Sequence, residues 1–213
     1  MWPLALCLSL WTSPALDPSE DPVEEPRLIL LPLGDPDPEV VRVIAARIET
    51  TLRVSVTIAP KEPLPPEAWF PDRRRWRADR ILDHLAARPF AAARIAAVTD
   101  QPISTTKGAI RDWGIAGLGE LPGRQCVFST FLYRSLLRRD RPTYLRYVGD
   151  LALHEIGHTL GLPHCADSGC LMADAKGNAL RSAAQSRGRY CARCARILGR
   201  LRLRELTPDS PGG

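Results

Sequence analysis

No apolar run in this chain of 213 residues reaches the roughly 20 residues that a membrane-spanning helix needs; Trp2 to Leu16 falls short and is broken by polar residues. There is no internal repeat, which excludes a solenoid, and no glycine motif of the phosphate-cradling kind. Lysine is scarce. Only Lys61, Lys107 and Lys176 are lysines, so the net charge of +5 is carried almost entirely by arginine. Arginine excess beside abundant alanine and proline reads as solvated surface, so no nucleic-acid partner is expected, although Arg187 to Arg204 could favour acidic ones. Histidine is scarcer still: of four, three lie between His154 and His164. What remains, 45% hydrophobic and 25% charged, is ordinary for a globular protein and sufficient for one domain with a sizeable core.

The histidines fall in a pattern. His154-Glu155-Ile156-Gly157-His158 puts two imidazoles four residues apart, on one face of a helix, where both can reach one ion. Gly161 can take the left-handed conformation that ends a helix and lets the chain swing back with His164 as a third ligand. Three protein nitrogens on zinc leave a position for water, whose pKa falls to about 7. Glu155, beside the first ligand, stands where a carboxylate could take that water's proton. The implied chemistry is attack of activated water on a carbonyl, a peptide bond being the fitting substrate. His84, alone in a helix, reads as an exposed or hydrogen-bonded histidine.

Six cysteines do not here spell three disulfides. Cys165/Cys170 and Cys191/Cys194 have zinc-site spacing, and four thiolates complete one tetrahedral zinc. Two disulfides among the same four are the competing arrangement. Cys126 reads as a small buried residue in a strand, and Cys7 stands in the leader.

The run HEIGHTLGLPHC, followed by Cys170-Leu171-Met172 and Cys191-Ala192-Arg193-Cys194, resembles the signature of the archaemetzincins, a branch of the metzincin metalloproteases. The likeness covers the last quarter of the chain; upstream it is looser and rests on LILLPLG and RADRILDHL. It implies a catalytic zinc on His154, His158 and His164, Glu155 as general base, and Met172 in a turn beneath the metal. It also implies a structural zinc on Cys165, Cys170, Cys191 and Cys194, hence two zinc ions per chain. The implied fold is a single-domain, metzincin-like α/β zincin: a mixed twisted sheet with flanking helices, an active-site helix and a zinc-stapled C-terminal part.

Along the chain, residues 1–26 form an apolar leader and an acidic, proline-bearing segment. Ser13-Pro14-Ala15 resembles a signal-peptide cleavage site, but no basic residue precedes the apolar run; export and a disordered leader both stay open, while the resemblance points to the cytoplasm. The catalytic domain is expected over 27–206, with a disordered tail at 207–213. LILLPLG predicts a buried strand. Asp37 and Pro38 predict a helix start, with Val40, Val41, Ile44, Ile48 and Leu52 inward. Arg53 to Ala59 is expected as a strand with Val54, Val56 and Ile58 inward. Asp72 is expected to open a helix running to about Arg88 that buries Trp76, Ile81, Leu82 and Leu85. Arg94 to Thr99 and Gln125 to Thr130 predict further strands, and the glycine-rich Gly108 to Gly123 between them a loop, or, near Ile115 to Glu120, an edge strand pairing with substrate. Pro142 begins the long helix that ends at Gly161, and Cys191 opens the last one.

Two functions of different class fit these residues. One is a zinc metallopeptidase acting as a monomer, without a transmembrane segment, on a peptide or protein. The other is a non-catalytic zinc-stabilised binding protein using the arginine-rich C-terminal helix, a reading that leaves Glu155 unexplained.

Overall fold

In the computed structural model the described residues are 28–89, 94–137 and 139–206; the leader, the signal-peptide question and the 207–213 tail lie outside them. The first strand, β1 (Leu28–Leu33), has parallel neighbours on both sides, the setting that a near-continuous apolar run requires. Asp37 then caps α1 (Pro38–Leu52), accepting the Glu39 N–H at 2.9 Å, with proline in the first turn as the sequence predicts. All five expected apolar residues of α1 are buried.

Arg53 ends α1 in the left-handed conformation, so β2 (Val56–Ile58) is shorter than expected. Ile58 does not point inward. It is 40% exposed, because β2 is an outer strand of its sheet. A second correction concerns Asp72, which opens no long helix but lies in a single 3₁₀ turn, Pro71–Arg73. On either side of that turn run β3 (Trp69–Phe70) and β4 (Arg75–Arg77), so Trp76 belongs to a strand, and α2 (Ala78–Ala86) starts only after it. Ile81, Leu82 and Leu85 are buried as read, and His84 Nδ1 lies 2.9 Å from a Glu67 carboxylate oxygen.

After β5 (Arg94–Thr99) come β6 (Ile103–Lys107) and β7 (Ile110–Ile115), an antiparallel hairpin whose second strand lies where the sequence suggested loop. Next are β8 (Gly117–Gly119) and β9 (Gln125–Ser129). The main sheet has the order β2-β1-β5-β9-β8, with β8 alone antiparallel and on the outside. A smaller sheet, β3-β4-β6-β7, was not foreseen. Four helices complete the described chain: α3 (Arg134–Leu137), α4 (Arg141–Thr159), α5 (Ala179–Gln185) and α6 (Ala192–Leu206). None is long and apolar enough to cross a membrane.

The period of two in the strands builds three layers. Leu28, Leu30, Ala96, Val98, Cys126 and Phe128 pack with α1 and α4 on one face. Leu31, Leu33, Ile95, Ala97 and Val127 pack with α2 on the other. Helix α4 is covered around most of its circumference, by the sheet, by α1 and by the segment that follows it. That burial fixes the helix bearing the histidines, and each fully buried Leu or Phe beneath it contributes about 1.5–3 kcal/mol.

Candidate metal centres and the cleft between them

The last two turns of α4 carry His154, Glu155 and His158. Asp140 caps the start of the helix, accepting the Thr143 N–H at 3.1 Å. At its end the Leu162 N–H returns to the Gly157 carbonyl (2.9 Å) and Gly161 takes φ 87°, the left-handed turn expected of it. The chain thereby reverses and brings His164 opposite the other two. The ring centroids lie 4.7, 5.3 and 4.9 Å apart, and one nitrogen from each ring falls within 4.8 Å of the others.

Hydrogen bonds settle which nitrogens converge. A carbonyl can only accept, so Nδ1–H of His154 donates to the Leu171 carbonyl (2.7 Å) and Nδ1–H of His158 to that of Leu162 (2.8 Å). Both Nε2 atoms are then bare lone pairs, yet they lie 3.1 Å apart. Two acceptors so placed fit a cation that both can bind, with the backbone carbonyls fixing tautomer and orientation. Burial, then the neighbouring His158, pushes the pKa of His154 down to about 3; burial also lowers that of His158. Both rings are neutral at physiological pH, the state in which an imidazole can bind a metal.

Glu155 is buried beside them, and burial pushes its carboxyl up to about 8 in the absence of a metal; a nearby cation would act in the opposite direction. Strand β8 lies directly on this side chain. A Cβ at Gly117 would meet Glu155 atoms at 2.5 Å, and one at Gly119 the Glu155 carbonyl oxygen at 2.6 Å, so only glycine permits this approach. Below, the buried Met172 brings its Sδ against Gly157, where a Cβ would lie 2.5 Å from it.

The four clustered cysteines form a second donor set, their Sγ atoms within 4.8 Å of one another and none in a disulfide. Cys165 and Cys191 sulfurs lie 3.8 Å apart. Cys170 Sγ accepts N–H groups from Met172 (3.5 Å) and Cys191 (3.3 Å), the backbone support a thiolate ligand needs. The Cys194 backbone N–H, at the start of α6, draws the Cys191 thiol down to about 7, whereas burial raises Cys170 and Cys194. The turn Cys170–Met172 joins the two sets: Cys170 belongs to one, and the Leu171 carbonyl orients His154 of the other.

A cleft of about 440 Å³ opens over the histidines, floored by α4 and bounded by β7, β8 and α5. The structure thus brings together every site residue expected from the sequence, in two groups.

A family model, peptidase family M54, matches residues 91–200, and archaemetzincin of Natronomonas pharaonis is 30% identical over 151 residues, covering 67% of this chain and 83% of that protein. The chain belongs to the archaemetzincins, peptidase family M54. Crystal structures agree: archaemetzincin from Methanopyrus kandleri superposes with a TM-score of 0.72 at 26% identity, covering 87% of this chain and 99% of that one. Archaemetzincin from Archaeoglobus fulgidus, complexed with malonate, gives 0.67 at 26% identity, over 80% and 99%. The mixed α/β fold is the archaemetzincin fold, and the chain is a zinc metalloprotease. The non-catalytic binding-protein reading gives way to that membership.

Sequence reading passed over several cleft residues. Asp150, one turn before His154 on α4, and Ser186, after α5, both line the cleft. Asp150 sits at i−4 from a candidate ligand and so shares its face, a signal available in the sequence. Its partner Arg47 lies in α1, and nothing local indicates that pairing. Helix α5 is short, and its apolar residues are mostly alanines.

Proposed function

We propose that the chain hydrolyses peptide bonds at the His154, His158 and His164 site, with Glu155 as general base. The observation that carries this is the pair of Nε2 lone pairs, held by backbone carbonyls and aimed at one point beside a buried carboxylate in an open cleft. Zinc bound there would acidify a water and polarise the scissile carbonyl. Glu155 takes the attacking water's proton as the new C–O bond forms, then delivers it to the amine as the C–N bond breaks. The outer edge of β8 lies along the cleft, and an extended substrate adds to it through backbone hydrogen bonds.

The second zinc in this reading is structural, held by Cys165, Cys170, Cys191 and Cys194 with no position left for water. Through the Cys170–Met172 turn it holds the backbone that orients His154. Residues 27–206 form the catalytic domain, and one chain supplies every group named, so the working unit is a monomer. The test is cleavage of a random peptide library by the zinc-loaded chain and by Glu155→Gln. Cleavage by the parent and none by the variant is the expected result; equal cleavage by both removes Glu155 from the mechanism.

A further inference from the structure

We propose that Asp150 and Ser186 form the polar floor of a pocket that selects a tyrosine side chain beside the scissile bond. This rests on the peptidase reading and extends it to the substrate. Asp150 is 4% exposed and lines the cleft, one helical turn, about 5.4 Å, from His154. Much of the surrounding cleft lining is apolar, with Leu151, Leu171, Ala183 and the rings of Tyr133 and Tyr147. The Tyr133 and Tyr147 rings meet edge to face at 5.6 Å, a frame against which a third aromatic ring packs well.

The floor has a defined polarity. Arg47 Nη2 donates to one Asp150 oxygen at 3.1 Å and also to the Gly188 carbonyl at 2.6 Å. Ser186 Oγ donates to the other oxygen at 3.2 Å, and Arg146 Nη1 stands 3.6 Å from it. Two guanidinium groups already compensate the carboxylate, so a substrate lysine or arginine meets net positive charge. A substrate carboxylate meets Asp150 itself. An ionised carboxylate has about four acceptor sites, and these partners occupy three at most. The pocket therefore takes a neutral side chain with an apolar body and a hydrogen-bond donor at its tip, one turn deep. A phenol meets that description, whereas phenylalanine fills the walls and leaves the acceptor unpaired.

The experiment uses the zinc-loaded full chain and peptides that vary the two residues flanking the cut. At one of those positions tyrosine is expected to exceed phenylalanine by at least about tenfold in kcat/KM, with lysine and glutamate lower still. Asp150→Asn lowers the tyrosine to phenylalanine ratio, whereas Ser186→Ala, which frees a further acceptor site on Asp150, leaves tyrosine preferred. Arg146→Gln, at a half-exposed position, raises lysine relative to tyrosine because a compensating charge is gone. Peptide binding to Glu155→Gln by calorimetry follows the same order without turnover. Cleavage in which tyrosine and phenylalanine are equal, with ratios unmoved by the variants, overturns the pocket assignment and leaves the peptidase reading standing. Absence of cleavage of any peptide overturns the peptidase reading itself.

Discussion

The histidine trio and the cysteine quartet share one stretch of chain and one turn, Cys170–Met172, yet they are built in opposite ways. The trio hangs from a helix end, with His164 exposed and a cleft above it. The quartet is assembled from the loop that carries Cys165 and Cys170 and from the start of α6, with Cys170 and Cys194 buried and backbone N–H groups turned on its sulfurs. An open set presented by a rigid helix suits chemistry; a closed set tying a loop to a helix suits structure. If that contrast holds, damage to the trio should cost activity and spare the fold, and damage to the quartet should cost the fold first.

The largest effect is expected from Glu155→Gln. Removing a general base costs about 10²–10⁴ in rate, so kcat should fall by that much while zinc content stays unchanged. The same substitution should stabilise the metal-free protein. Burial raises the folded pKa of Glu155 from 4.5 to about 8, so between those values folding must take up a proton that the unfolded chain has released. Stability is therefore lost as pH rises through that window. At pH 7 glutamine should recover up to about 3 kcal/mol, read as a higher urea midpoint in chelator.

Cys170→Ser should lower stability by several kcal/mol, since zinc–thiolate sites in small peptides contribute roughly 10–16 kcal/mol and a larger core depends on them less. His164→Ala should abolish activity with little change in melting temperature, because its side chain is exposed and follows the helix. Equal loss of stability in both variants would erase the distinction. Gly117→Ala should cut activity by about tenfold or more through misplacing Glu155, since misplacement of about 1 Å can cost 10²-fold; circular dichroism should hardly change.

The effect that is smallest at neutral pH is on acid stability. The folded pKa of His154 is lowered to about 3, so below 6.5 the unfolded chain binds a proton that the metal-free fold refuses. Melting temperature in chelator should decline as pH falls from 6.5 towards 3. His154→Asn should decline less steeply over the same range.

The two donor sets were legible in the sequence because each is local: four residues apart on a helix, a glycine-ended turn, and paired cysteines. The caps were legible for the same reason, as Asp37 and Pro38 illustrate. What escaped depends on distant partners. Arg75–Arg77 resembles the first turn of a helix until β6 is there to pair with it, and the β6–β7 hairpin lies partly under glycines that suggested a loop. Ile58 alternates correctly with Val56, yet no layer covers it at the sheet's outer strand. Asp150 becomes a pocket floor only when α1 delivers Arg47 to it.

Two separate metal sites on one chain are tested most directly by zinc per folded chain. Elemental analysis of the purified protein should give about two zinc ions for the parent and about one each for His164→Ala and Cys170→Ser. One zinc in the parent, with the four clustered cysteines unreactive to thiol reagents until a reductant is added, would contradict the two-site arrangement.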